Sequence, residues 1–117
     1  MQLPDLLSAM ENELGSEPHV MKLLSKLKEE AVFEHANNKN FAMKEGTIPA
    51  KYKLLISIAV SAGLGDSKCS ETYARVARRK GIAVDEIMEA LLITRFIKAT
   101  TVMSAASKTM EFLIEDK

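Results

Sequence analysis

The sequence has no tryptophan, three prolines and a single cysteine among its 117 residues. One cysteine excludes an intramolecular disulfide, so the chain is not one of the small secreted domains that disulfides hold together. Aromatic residues make up only 5% of the chain, whereas seven residues are methionine. A core of leucine, isoleucine, valine, alanine and methionine favours packed helices over a sheet sandwich.

Net charge is also absent, because 16 basic residues balance 16 acidic ones. No global positive field therefore draws the protein to nucleic acid or to an anionic membrane surface. The longest apolar stretch, residues 54–64, is too short to cross a bilayer. Residues 1–5 show no basic leader followed by an apolar run, so we expect no secretory signal and a cytoplasmic location.

The pattern that remains is helical, and it predicts one all-α domain of about six helices over residues 1–117. No segment alternates polar and apolar residues for long enough to make a strand. The first helix begins near Pro4 and ends at Gly15. Ser16 is the candidate cap of the second helix, which the polar residues 35–40 are expected to weaken.

Thr47 is the candidate cap of the third helix, which is apolar on nearly all sides over residues 54–62 and is therefore expected to be central. The fourth begins near Asp66 or Ser67 and ends in basic residues before Gly81. Acidic residues open the fifth, whose predicted buried stripe is Ile87, Ala90, Leu91, Thr94 and Ile97. Threonines suggest a kink or a short connection near residues 98–101, before a sixth helix over residues 102–114.

The order of four segments is more specific than any single motif. They are GTIPAK at residues 46–51, LLISIAVSA at 54–62, the helix of residues 74–81 and DEIMEAL at 85–91. In order and spacing they resemble the carboxymuconolactone decarboxylase and alkylhydroperoxidase-D superfamily. The resemblance implies an alkylhydroperoxidase-D-like helical domain that assembles into a homo-oligomer, a trimer or a hexamer. The small core of a 117-residue chain would also gain from burial between subunits.

Redox-active members of that superfamily carry two cysteines three residues apart, a histidine four residues beyond the second, and a glutamate on the central helix. In this chain Cys69 takes the place of the second cysteine. Asp66, Tyr73 and Leu54 stand where the first cysteine, the histidine and the glutamate would be. The comparison implies that no dithiol peroxidase cycle runs within one subunit. Lactone-decarboxylating members keep the histidine that Tyr73 replaces, so their chemistry does not transfer cleanly either.

Cys69, Tyr73 and Asp66 are the candidate catalytic residues. A helix start with Lys68 alongside favours a thiolate at Cys69 if the thiol is accessible; the alternative is a small buried hydrophobe. Asp66 is more typical of a helix cap than of a catalytic acid. Tyr73 lies one turn after Cys69 and either donates a proton to a ligand or anchors the helix.

The sequence predicts neither a metal nor a cofactor. His19 and His35 are the only histidines, and neither has metal-ligand spacing to a cysteine or another histidine. The basic cluster at the end of the fourth helix is typical of a solvated terminus. It also has the spacing to pair with Glu71 or to steer a carboxylate. Its members are Arg75, Arg78, Arg79 and Lys80.

Three functions remain open. The favoured one is an oligomeric protein that binds a small molecule or is weakly redox-active, with no nucleic-acid or membrane partner. The second is a single-cysteine peroxidase that uses Cys69 and is reduced by an external thiol. The third is a lactone or keto-acid decarboxylase-like enzyme in which Tyr73 or Asp66 moves protons.

Overall fold

The computed structural model describes residues 1–116 and contains, within them, seven α-helices and no strand. The all-α prediction is confirmed, with one helix more than expected. The helices are α1 (Leu3–Leu14), α2 (His19–Leu27), α3 (Glu29–Met43), α4 (Ala50–Gly63), α5 (Ser67–Arg79), α6 (Val84–Ala105) and α7 (Ser107–Glu115).

The additional helix arises because the predicted second helix breaks at Lys28. The backbone of Lys28 is extended (φ −158°, ψ 93°), which ends α2 at Leu27 and lets α3 begin at Glu29. The expectation of weakness over residues 35–40 was wrong, since α3 runs through them to Met43. Tertiary contacts hold this polar helix: Val32 is fully buried, and Lys39 binds the Glu13 carboxylate at 2.7 Å. Packing here outweighs the low helix propensity of asparagine.

The short connection and new helix start expected at residues 98–102 are also absent, because α6 is continuous to Ala105. The hydroxyls of Thr100 and Thr101 donate to the carbonyls of Ile97 and Lys98 at 2.7 and 2.6 Å. A threonine that bonds the preceding turn in this way is tolerated inside a helix. The break comes at Ala106 instead, between α6 and α7.

Two predicted caps were wrong as well. Neither Ser16 nor Thr47 caps a helix, because Pro18 and Pro49 occupy the cap positions of α2 and α4. Neither proline supplies a side-chain hydrogen bond. Proline has a fixed φ and no N–H to leave unpaired at a helix start.

The core lies where α4 packs against α5 on one side and α6 on the other. Helices α4 and α6 run parallel, with contacts between residues 35 apart: Lys51 Nζ to Glu86 Oε2 at 2.6 Å, and Lys98 Nζ to the Gly63 carbonyl at 2.9 Å. The central position of α4 is confirmed. Its fully buried residue, Ile58, belongs to an apolar cluster made of Leu54, Ile58, Val76, Ala77, Ile82 and Ile87.

Helix α1 is held to this core by Arg79. The guanidinium at the end of α5 donates to the carbonyls of Asn12 and Glu13 at the end of α1. Cations at a helix carboxyl end meet both unpaired carbonyls and the negative pole of the helix. The turn that follows requires Gly15, whose φ is +74°. A Cβ on Gly15 would also lie 3.1 Å from the Arg79 guanidinium.

The chain is extended and leaves much apolar surface in water. Its radius of gyration is 18.8 Å, whereas a compact domain of this length has about 13–14 Å. On α4 itself, Ile56 and Val60 are exposed, and Ile97 of the predicted α6 stripe is exposed too. Apolar surface on this scale is typical of proteins that bind other molecules.

The two roles of Gly15 can be separated with a glycine series. We expect Gly15→Ala to lower the free energy of unfolding more than Gly65→Ala, measured by urea denaturation at fixed protein concentration. Both residues have positive φ (+74° and +81°), but a Cβ on Gly65 meets nothing within 4 Å. The left-handed conformation costs about 1–2 kcal/mol for a residue with a Cβ.

Gly46→Ala is the control, because Gly46 has neither positive φ nor a neighbour within 4 Å. We expect it to change stability by less than about 1 kcal/mol. Equal losses for Gly15→Ala and Gly65→Ala would show that the Arg79 contact does not depend on Gly15.

Candidate functional site

The start of α5 is organised by the Asp66 carboxylate. Asp66 is the N-cap residue, and its Oδ1 accepts a hydrogen bond from the backbone N–H of Cys69 at 3.0 Å. This bond and a second one from Cys69 lower the pKa of Asp66 below its ordinary value. The predicted capping role is therefore present. A carboxylate stabilised in this way is ionised at neutral pH and does not serve there as a proton donor.

The Cys69 side chain is exposed and lies within the first turn of α5. Its thiol is nevertheless not activated. Partial burial raises the pKa of Cys69, and the hydrogen bond to Asp66 and the negative charge of Asp66 raise it further. The expectation of a thiolate considered the helix start and Lys68. It did not include the effect of Asp66, which acts in the opposite direction because a nearby anion disfavours a second one.

Tyr73 follows Cys69 by one turn and packs against the edge of the core. Burial raises the pKa of the Tyr73 phenol, with smaller contributions from Cys69 and Glu13. At neutral pH both the thiol and the phenol are therefore protonated hydrogen-bond donors. Leu54, at the position of the superfamily glutamate, is buried in the apolar cluster. The α4 side of this site thus offers no carboxylate at that position.

Glu13 was not identified from the sequence. The carboxylate reaches the neighbourhood of Tyr73 from α1 and pairs with Lys39 of α3 at 2.7 Å. Three helices thus contribute to the surroundings of the phenol. No sequence pattern connects these residues, because the chain separations are 26 residues between Glu13 and Lys39 and 60 between Glu13 and Tyr73.

The basic cluster lies on a different face of α5 from Cys69 and Tyr73. Glu71, Arg75 and Arg78 line a shallow cleft of about 570 Å³ between α5 and the end of α1. Helical spacing puts them on a different face of α5 from Cys69 and Tyr73. The predicted pairing with Glu71 is present, with Arg75 Nη2 3.3 Å from Glu71 Oε1.

The other guanidiniums of this cluster bind backbone carbonyls. Arg78 donates to Ile82 at 3.0 Å, and Arg79 donates to the end of α1. Arg78 therefore binds the loop between α5 and α6, and Arg79 binds the carboxyl end of α1. A carboxylate placed in the cleft would not be delivered to Tyr73.

Within residues 1–116 no group of three histidine, cysteine, aspartate or glutamate side chains is placed to hold a metal ion. Over the same part of the chain, none of the helices is both long and apolar enough to cross a bilayer.

The comparisons with known proteins agree with this architecture. The family model described as the carboxymuconolactone decarboxylase family matches residues 29–111, from the start of α3 into α7. A crystal structure of a protein from Burkholderia xenovorans LB400, provisionally described as a carboxymuconolactone decarboxylase, superposes with a TM-score of 0.71 at 21% identity. The superposition covers 98% of this chain and 96% of the other. Among curated proteins, no relative matches the sequence.

The influence of Asp66 on Cys69 can be tested with Asp66→Asn. Asparagine caps helices about as well as aspartate, so the fold is retained while the negative charge is removed. We expect the pKa of Cys69 to fall part of the way to the ordinary value of about 8.5, because burial of the thiol remains. The measurement is the rate of alkylation by a neutral reagent from pH 6 to pH 10.

Asp85→Asn, in the first turn of α6, is the matched control and should leave the Cys69 profile unchanged. An unchanged inflection in Asp66→Asn would show that the carboxylate does not control the thiol.

Proposed function

The chain belongs to the carboxymuconolactone decarboxylase family, and from that premise we propose that it is a homo-oligomer that binds an uncharged small molecule along the Asp66–Cys69–Tyr73 face of α5. The observation that carries this proposal is the ionised carboxylate of Asp66 beside the Cys69 thiol. A thiol held in its protonated form by such a carboxylate is a poor nucleophile, so this face of α5 is better suited to binding than to thiol chemistry.

Peroxidase chemistry has little support in this arrangement. A dithiol cycle needs a second cysteine to convert a sulfenic acid into a disulfide, and the chain has one cysteine. A single-cysteine cycle is the second candidate function, and the exposure of Cys69 favours it. A single-cysteine peroxidase would form a sulfenic acid on Cys69 when treated with equimolar peroxide at pH 7. We do not expect one, because thiolate is scarce when the pKa is raised.

Decarboxylase-like chemistry is supported still less. Asp66 is ionised and occupied as a helix cap, and Tyr73 is a protonated phenol. The lowered pKa makes the Asp66 carboxylate a weak base, and a protonated phenol does not accept a proton at neutral pH. The guanidiniums that would hold a substrate carboxylate lie on another face of α5. Binding is therefore the function that the side chains support best.

The ligand class follows from the charges of the site. Tyr73 offers a hydrogen-bond donor one helical turn from Cys69, whose single S–H is engaged by Asp66. Leu54 contributes apolar surface to the cluster against which Tyr73 packs. The Asp66 carboxylate disfavours an anion at the same place. A small carbonyl compound without charge, such as a lactone, matches these properties.

Assembly is the second part of the proposal. Extended shape and exposed apolar residues on α2, α4, α6 and α7 support it. A chain of this length buries a modest core by itself, and contacts with further copies would remove this surface from water. A closed ring, such as a trimer or hexamer, is the arrangement we propose.

The ligand proposal predicts that δ-valerolactone at millimolar concentration shifts the NMR signals of Tyr73 and of the first turn of α5. The matched control ligand is 5-hydroxypentanoate, the ring-opened carboxylate of the same carbon skeleton, which the charge of Asp66 should exclude. Tyr73→Phe should weaken the lactone response by roughly threefold to tenfold, the equivalent of one hydrogen bond. Equal responses to both compounds, or none near Tyr73, would contradict the proposed site.

The assembly proposal predicts a mass of at least three chains by light scattering at micromolar concentration. Chemical shifts or scattering that report a monomer at that concentration would remove this part of the proposal, whatever the ligand experiment shows.

A further inference from the structure

The carboxyl end of the chain extends beyond the core as an arm, which we define as residues 99–116. Helices α4 and α6 are parallel, and each residue of α4 lies beside the residue 35 positions later in α6. The last residue of α4, Gly63, therefore lies opposite Lys98. Helix α6 continues to Ala105, and within residues 1–116 helix α7 makes few contacts with the rest of the chain, most of them with α6.

The arm is apolar and exposed. Six of its large apolar side chains are between 42% and 67% exposed: Val102, Met103, Met110, Phe112, Leu113 and Ile114. Helix α7 has nine residues, and an isolated helix shorter than about 12–15 residues is marginal in water. Helix α7 would therefore be more stable if another surface covered its apolar side chains.

A surface of suitable character lies between α4 and α6. A groove of about 400 Å³ has an apolar floor and two carboxylates, Glu86 and Glu89, at its edge. Tyr52, Ile56 and Ile93 in this groove are each about half exposed or more. The floor residues are Tyr52, Leu55, Ile56, Ala59, Ala90 and Ile93.

The groove lies along the first three turns of α4 and α6, whereas the arm leaves from the opposite end of α6. The arm of one chain therefore does not cover the groove of that same chain. Each chain carries one arm and one groove, so exchange between copies covers both surfaces at once. Such contacts close into a dimer or a ring when the symmetry closes.

We propose that the arm of one copy binds in the α4–α6 groove of a second copy. This inference rests on the assembly proposed above and names the segment that builds it. Apolar side chains of α7 would fill the groove. Within one chain Glu86 is paired with Lys51 at 2.6 Å. Lys108, in the first turn of α7 of the copy that supplies the arm, would pair with Glu89 at the groove edge.

Cross-linking tests the contact directly. In a Cys69→Ser background, we would introduce Leu113→Cys in the arm of one affinity-tagged chain and Ile93→Cys in the groove of a differently tagged chain. Mixed assemblies treated with a short bismaleimide should yield covalent dimers that carry both tags. The control pair combines Leu113→Cys with Val20→Cys, since Val20 is an exposed apolar residue of α2 outside the groove. Equal yields for both pairs, or no product with Ile93→Cys, would overturn the proposal.

A second measurement separates the arm from the assembly as a whole. Leu113→Glu places a charge on the apolar surface of α7 and should raise the dissociation constant of the assembly by about tenfold or more, an effect of at least about 1.4 kcal/mol. The control is Ile48→Glu, at an exposed apolar position in the segment before α4, which should leave it unchanged. An oligomer unaffected by Leu113→Glu would overturn the arm contact and leave the assembly standing. A wild-type monomer would overturn both, while the lactone response would still decide the ligand site.

Discussion

The parallel packing of α4 on α6 is the constraint on which the rest of the structure depends. It buries Ile58 completely and places Leu54 and Ile87 in one cluster with residues of α5. Polar contacts at both ends, Lys51 with Glu86 and Lys98 with the Gly63 carbonyl, keep the two helices in register. Because α4 is the shorter of the two, the same register determines how far α6 extends past the core.

Asp66 links the fold to the chemistry of the site. Partial burial raises the pKa of the Cys69 thiol, and the same Asp66 carboxylate that caps α5 raises that pKa further. In the redox-active arrangement that the sequence resembles, a cysteine would stand at this position and serve the neighbouring thiol. An aspartate there stabilises the helix start and disfavours the thiolate. The helical scaffold is thus retained, but the start of α5 disfavours the Cys69 thiolate.

The exposed apolar surface connects these two features to assembly. The buried cluster is small, and many large apolar side chains of α2, α4, α6 and α7 face water in a single chain. Hydrophobic burial is the main favourable term in association as in folding. In the proposed assembly, the contact between the arm of one copy and the groove of another would remove part of this surface from water.

Local signals in the sequence determined several features of this protein. Three glycines with positive φ end or follow helices at Gly15, Gly65 and Gly81, and the aspartate cap of α5 lies at Asp66. The apolar run of residues 54–62 indicated the central helix. These succeed because glycine, capping residues and helical periodicity act over a few residues.

The tertiary structure decided the rest. The break at Lys28, the continuity of α6 through its threonines, and the approach of Glu13 to Tyr73 all depend on contacts between distant segments. The chemical state of Cys69 also needed the structure, since Lys68 and Asp66 are neighbours of opposite charge in the sequence. In the folded chain partial burial and Asp66, which caps the helix beside the thiol, raise the pKa of Cys69. Electrostatic effects depend on distance and burial in three dimensions, and the order of residues alone does not specify either.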